Sequence, residues 1–294
     1  MERRQSGNRA VKETDMIQTA LIAAAVIILI VLAACIGIRY LSEHRHIYKN
    51  SKIRLDIGNA QIIGNREKQD DSFGTSLRPY AAFAIVADGI GGYQDGKLAS
   101  EIAVATYIDE FGKRDITENI TYFFQKSAVM ANGHIRDEFG EVKGGTTQVS
   151  IVIVEDRMYW SSVGDSNIAV LRNGRLIEVN RKENVKNWLE DQYYAGIIGR
   201  EEAMGSATDK RLVNYLGFDG FKKACESDRP IYLKKHDKVL LYSDGVELLG
   251  QIELENILAK RCGAQKQADL IMEALERNPA RNKDNATIII LTVM

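Results

Sequence analysis

The run Ala81-Ala82-Phe83-Ala84-Ile85-Val86-Ala87 is apolar throughout and stops at an acid, Asp88, followed by Gly89. It is short, continuous and partly β-branched, which reads as a buried strand. Asp88 then sits at the strand's C-terminal end, where side chains leave the core and can face a site. Gly89, Gly91 and Gly92 allow positive φ and let backbone carbonyls come close to a ligand. A helix follows, with Leu98, Ile102, Ala105 and Ile108 at helical spacing. A carboxylate on a rigid strand end beside a glycine turn suits a hard metal ion. Taken alone, an Asp-Gly pair reads more simply as a tight strand-to-helix turn. The rest of the chain reverses that preference.

Further strands are expected over Ile57 to Ile63, Thr147 to Glu155, Met158 to Val163, Asn167 to Arg172, Arg175 to Val179, Lys238 to Tyr242 and Ala286 to Val293. Asn173-Gly174 is a hairpin signal. Gly64 to Asp71 reads as a polar loop. Helices are expected over Lys97 to Phe111, Thr117 to Glu138, Ile252 to Lys260 and Gln265 to Arg277. The stretch from Arg181 to Leu212 is polar and less regular, with helical pieces near Val185 to Tyr194 and Arg200 to Met204; such a segment inside a compact domain is usually functional or mobile. Strands dominate and the helices come in two groups. The pattern predicts an α+β fold: sheet packed on sheet, with helices outside, as one domain over 53–294.

With 294 residues and a net charge of −1, nothing marks a nucleic-acid binder. Met16 to Ile38 carries no charge over about 23 residues, enough to cross a hydrocarbon core of ~30 Å. We read 1–15 as a tail, 16–38 as a transmembrane helix and 39–52 as a basic juxtamembrane linker. Basic residues flank both ends, with a slight excess after the span, so the positive-inside rule gives a slight preference for a single-pass cell-membrane protein with its domain facing the cytoplasm. Leu32-Ala33-Ala34-Cys35 resembles a lipoprotein cleavage motif, which would place the domain outside; the apolar run continuing through Ile36 and Ile38 argues against it. Cys225 and Cys262 have no metal-type spacing and read as ordinary reduced thiols.

A second apolar strand also ends in Asp-Gly, at Ser243-Asp244-Gly245. A third acid, Asp284, immediately precedes the last strand, and Asp70-Asp71 follows the first. Acids at several strand boundaries suggest a carboxylate cluster that needs cations to offset its own repulsion. With no histidine or cysteine near them, oxygen-only ligands favour magnesium or manganese over zinc.

The same stretches resemble the PP2C-type (PPM) family of metal-dependent serine/threonine protein phosphatases. The resemblance runs in order through Arg66 with Asp70-Asp71, Asp88-Gly89-Ile90-Gly91-Gly92 with Gly96 and Ala99-Ser100, Gly145-Thr146-Thr147, Val163-Gly164-Asp165-Ser166, Ser243-Asp244-Gly245, and Asp284-Asn285-Ala286-Thr287. It implies a β-sandwich of two mainly antiparallel sheets flanked by helices. It also implies two Mn2+ or Mg2+ ions sharing a water or hydroxide that attacks phosphoserine or phosphothreonine. Asp88 would bridge the ions, with Asp244 and Asp284 on one, and Asp70 with the Gly89 carbonyl on the other. Asp71 would hold a metal-bound water, Asp165 would help bind a weaker third metal, and Arg66 would hold the substrate phosphate with its planar fork. The implied partners are phosphorylated proteins and a serine/threonine kinase whose work the enzyme opposes.

This sequence departs from the family pattern at four places. Gln69-Asp70 stands where Asn-Glu is usual in bacterial members, so the acid is one methylene shorter. Ile90 replaces the histidine that eukaryotic members carry. Asn167 replaces an arginine, and no His-Pro pair precedes Leu216-Gly217. These leave a rival reading, a membrane-tethered module that binds phosphoproteins with little or no turnover; retention of Asp88, Asp244 and Asp284 argues against it.

Overall fold

The computed structural model describes residues 46–49, 52–91, 95–113, 116, 119–140, 144–205 and 209–294. The apolar 16–38 stretch, Cys35 and most of the expected linker lie outside the described residues. Among the described residues, no helix is long and apolar enough to cross a membrane. A compact unit runs from Ile47 to Met294.

In chain order, the strands are β1 (His46–Lys49), β2 (Arg54–Ile62), β3 (Ser72–Arg78), β4 (Ala81–Ala87) and β5 (Gly89–Ile90), followed by helices α1 (Asp95–Lys113) and α2 (Ile120–Phe139). Then come β6 (Gly145–Thr146), β7 (Gln148–Val154), β8 (Arg157–Val163), β9 (Asn167–Arg172) and β10 (Arg175–Glu178). Helices α3 (Val185–Tyr194) and α4 (Arg200–Gly205) precede β11 (Cys225–Glu226), β12 (Ile231–Tyr232) and β13 (Lys238–Tyr242). A 3-10 turn, Asp244–Leu249, leads into α5 (Gly250–Leu258), α6 (Ala264–Arg277) and β14 (Ala286–Val293).

One sheet has the order β1-β2-β14-β13-β9-β10 and the other β11-β8-β7-β4-β3, with β12 also on β8. The two face each other across a dry core. Its members alternate along each strand: Ala82, Ala84 and Val86 of β4, Val149, Ile151 and Ile153 of β7, Val239 and Leu241 of β13, Ile289 and Leu291 of β14. The period of two sends the intervening residues outward. On β4 these are Phe83 and Ile85, which pack with Tyr107 of α1 and Phe123 and Phe124 of α2. On β13 and β14 they are Leu240, Tyr242, Ile288 and Ile290, covered by Leu254 and Leu258 of α5 and Ile271 and Leu275 of α6. Strands buried on both faces explain why β4 reads as an unbroken apolar run, and why β7 and β14 are apolar over Ile151 to Val154 and Ile288 to Leu291 rather than alternating.

The expected elements therefore form, in four layers. The Asn173-Gly174 turn has φ 54° and 78° at its two central residues, the left-handed pair that a two-residue hairpin requires. Two differences matter. The stretch Ser72–Arg78 forms a full seven-residue ladder with β4, although its sequence SFGTSLR is small and polar. As a sheet edge it needs only one apolar face, so its signal is weak. His46–Lys49, inside the expected linker, forms the opposite sheet's edge beside β2.

Candidate active site

The first sheet-to-helix transition sets the site. Asp88 leaves the end of β4, and its backbone is gripped from three directions. Its N–H donates to Thr147 Oγ1 at 3.1 Å, while its carbonyl accepts from the Thr147 N–H and from Thr146 Oγ1, both at 2.8 Å. Thr147 Oγ1 in turn lies 2.7 Å from Ser166 Oγ, beside Asp165. Gly145-Thr146-Thr147 and Asp165-Ser166 thus hold Asp88 through main chain and hydroxyls. Gly89 follows under the α1 turn; a Cβ there would stand 2.2 Å from the Gly96 carbonyl oxygen and 2.6 Å from that of Asp70. Only glycine permits that approach.

The last two acids are docked just as closely. A Cβ on Gly245 would meet the Asn285 carbonyl oxygen at 2.0 Å, so Asp244 and Asp284-Asn285 are pressed together. Asn285 joins them to the loop before β3. Its Oδ1 accepts from the Asp70 N–H at 2.8 Å, and its Nδ2 donates to the carbonyls of Ile63 at 2.8 Å and Lys68 at 2.9 Å.

These ties bring the acids around one cavity of about 270 Å3, lined by Asp70, Asp88, Gly89, Asp165, Asp244 and Asp284, with Arg66 at its edge. Six of the eight residues expected from sequence to form the site are acids or glycine on this wall; the seventh is Arg66. The eighth, Asp71, does not line the cavity. It is fully buried, and its Oδ2 accepts from Ser243 Oγ at 2.8 Å and Thr287 Oγ1 at 2.7 Å. Arg66 donates to Asp284 Oδ2 at 2.5 Å, with both side chains substantially exposed.

The cavity is electrostatically unfinished. Burial first, then the charges of Asp71, Asp244, Asp165 and Asp284, hold the Asp88 carboxyl well above the usual range. Burial, with Asp244 next, pushes Asp165 up to about 6. Burial raises Asp244 too, with Asp284 adding to it, and burial likewise raises Asp70. Carboxylates that repel each other in low dielectric call for cations. An all-oxygen donor set suits hard divalent ions, and Asp70 Oδ1 is buried without a partner. Among the described residues, no three acid, histidine or cysteine side chains form a closed metal cluster; the acids ring the cavity rather than meet at one point. The residues present fit the ions the sequence calls for.

Sequence reading missed the residues that hold this arrangement. Asn285, Ser243 and Thr287 had only a motif's place, and Lys182 had none. Lys182 forms an ion pair with Glu247, which also accepts from Asn167 Nδ2 at 2.9 Å. Asn167, standing where arginine is usual, therefore ties the Asp165 turn to the turn after Asp244. None of these long-range pairs leaves a local signal.

The protein phosphatase 2C family model matches residues 55–192. The serine/threonine phosphatase stp of Listeria innocua is 25% identical over 241 residues, spanning 79% of this chain and 88% of that protein. Among solved structures, the serine/threonine phosphatase of S. agalactiae superposes with a TM-score of 0.71 at 22% identity, covering 81% of this chain and 98% of that one. The PstP catalytic domain, solved with two manganese ions, superposes with a TM-score of 0.64 at 19% identity, covering 82% and 99%. In sequence over residues 55–192 and in fold, the chain is therefore similar to the protein phosphatase 2C family and to bacterial serine/threonine phosphatases.

Proposed function

We propose that this chain hydrolyses phosphoserine and phosphothreonine on proteins with the help of two Mn2+ or Mg2+ ions, by direct attack of water on phosphorus. The observation that carries this reading is the ring of buried, mutually repelling carboxylates around one cavity with a guanidinium at its edge. Asp88, Asp244, Asp284, Asp70 and the Gly89 carbonyl would hold the ions, and Asp165 would help hold a weaker third. When bound, such ions activate water and offset the charge on the phosphoryl oxygens.

The chain's own groups supply the rest. Arg66 offers two parallel N–H donors to phosphate oxygens. Its pair with Asp284 is exposed, and such pairs are worth only about 0–1 kcal/mol, so exchanging the carboxylate for a phosphate costs little. Ile90 lines the cavity where a proton-donating histidine could stand, so the leaving hydroxyl takes its proton from water. Neither Cys225 nor Cys262 lines the cavity, and no covalent step is needed.

We also propose that 16–38 anchors the protein in the membrane with its domain toward the cytoplasm, opposite a serine/threonine kinase. Protease protection in intact and permeabilised cells tests the orientation; cleavage of the domain in intact cells would overturn it. Activity is tested on the full chain in detergent, by phosphate release from a phosphothreonine peptide as manganese is titrated in. Turnover should depend on metal and fall by about a thousandfold or more in Asp88→Asn and Asp244→Asn. A folded protein with no turnover under any divalent metal would favour the tethered binding module.

A further inference from the structure

Lys182 comes from the loop between β10 and α3, and that loop is tied to the Asp165 turn in both directions. The Glu183 N–H donates to the Gly164 carbonyl at 2.8 Å, and Glu183 Oε2 accepts from the Gly164 N–H at 3.0 Å. On the other side of Lys182, Asn180 Nδ2 donates to the Ser166 carbonyl at 2.9 Å, while Asn180 Oδ1 accepts from the Ile168 N–H at 2.7 Å. Lys182 is thus held against the Asp165 turn by its neighbours rather than by its own reach. From the opposite direction Glu247, in the 3-10 turn that begins at Asp244, takes its ammonium as an ion pair. The ammonium therefore joins the two turns that carry Asp165 and Asp244.

Its charge is placed where the acid cavity lacks one. The Lys182 side chain is only 21% exposed, so water and salt screen it weakly. Burial lowers its ammonium below the ordinary lysine value, with Lys210 adding to that, while Asp165, Glu178 and Asp244 pull the other way. The attraction is mutual: Lys182 draws both Asp165 and Asp244 back toward the usual carboxylate range. Asn167, which meets the same Glu247 from the Asp165 side, brings no charge of its own. A fixed ammonium and a divalent ion beside one carboxylate repel each other, most strongly where the dielectric is low.

We propose that Lys182 is a positioning residue, acting through Asp165, whose ammonium supplies the positive charge beside that acid and so competes with a third metal ion there. The proposal rests on the metal-dependent reading of the cavity. It makes the weakness of the third position a consequence of this chain's own lysine.

The test counts Mn2+ bound by the full chain in detergent, by equilibrium dialysis, with phosphate release from phosphopeptide measured alongside. The variants are Lys182→Gln, Lys182→Met, Lys182→Arg and Lys182→Gln combined with Asp165→Asn, each checked for folding by circular dichroism. At manganese concentrations that fill two sites in the parent, Lys182→Gln and Lys182→Met should bind a third ion, at least about tenfold more tightly than the parent does. Lys182→Arg keeps the charge and should stay at two, and the double variant, which removes the acid, should return to two. A parent already at three, a neutral variant still at two, or a third ion that survives Asp165→Asn would each overturn the proposal. So would a loss of ions from the neutral variants, which would make Lys182 a structural residue only. Should Lys182→Gln fail to fold, Lys182→Met decides. A parent that binds no manganese would fail the metal reading and this proposal together; a parent that binds it without turnover would count against the phosphatase reading alone.

Discussion

The acid wall and the α3–α4 segment adjoin each other, and they are built in opposite ways. Leu212 touches the acid cavity and bridges to Asn184, so the segment is rooted at the site's rim. Its root is tied by Val185 N–H to the Arg211 carbonyl at 2.9 Å and Lys186 N–H to that of Asp209 at 3.1 Å. Beyond the root, α3 buries only Leu189 and α4 buries nothing. Trp188, Tyr194, Ile197 and Met204 stand in solvent, Tyr194 at 80% exposure. The wall, by contrast, has glycines where a methyl group would strike backbone and an asparagine serving three main-chain groups at once. Chemistry on charge needs donors fixed in place before the substrate arrives. Recognition of varied protein surfaces needs exposed aromatic area on an element that can be re-shaped without disturbing the core.

Glycine substitutions break this contrast most directly. Gly245→Ala places a methyl 2.0 Å from the Asn285 carbonyl oxygen, and neither backbone can yield without moving an acid. We expect a loss of about 3 kcal/mol in urea unfolding, at the upper end for overpacking, together with loss of turnover. Gly199, with nothing within 4 Å of the added atom and no positive φ, should accept alanine with a change within about 0.5 kcal/mol. Equal costs at the two positions would mean that the wall is no more tightly docked than the segment. Asn285→Ala is next: the Asp70 N–H and the carbonyls of Ile63 and Lys68 lose their partner in a residue only 5% exposed. Orphaned polar groups of this kind cost about 1–3 kcal/mol, so unfolding should shift by about 2 kcal/mol.

Proton linkage separates the two regions without any mutation. Asp71 and Asp165 are each pushed to about 6, chiefly by burial, so the folded chain keeps protons there that the unfolded chain has already lost. With the folded value raised, the penalty is absent below about pH 4, grows between about 4 and 6, and is complete above. The metal-free protein should therefore be more stable near pH 5 than near pH 7.5, by about 2 kcal/mol. Saturating manganese should flatten that slope, since cations favour the charged carboxylates. A chelated protein whose melting temperature does not fall between pH 5 and 7.5 would remove the electrostatic argument for the cavity.

Much of this was legible in the sequence where a local pattern carried it. β4, β13 and β14 are apolar runs broken by Asp-Gly or preceded by Asp-Asn, so both the strands and the acids at their ends stood out. The Ser72–Arg78 strand did not, because Ser72, Thr75 and Ser76 dilute an edge whose only obligation is its ladder to β4. The orientation of Asp71 was also hidden. Two adjacent acids look alike in sequence, and nothing local shows that Asp70 lines the cavity while Asp71 Oδ2 is held by Ser243 and Thr287, far along the chain. Arg66 was legible as a phosphate ligand by resemblance alone; its resting pair with Asp284 depends on a contact 218 residues apart.

The smallest expected effect on stability bears most on recognition. Tyr194→Ala combined with Ile197→Ser removes apolar side chains that are 80% and 68% exposed, so unfolding should change by no more than about 0.5 kcal/mol. Small aryl phosphates reach only the acid cavity and should be hydrolysed at the parental rate. A phosphoprotein substrate must also lie across the rim that Leu212 shares with the segment, and its kcat/KM should fall by about tenfold, which corresponds to about 1.4 kcal/mol of lost transition-state binding. Parallel losses for both substrates would tie the segment to the acid wall mechanically, and the contrast between a fixed wall and an independent recognition surface would no longer hold.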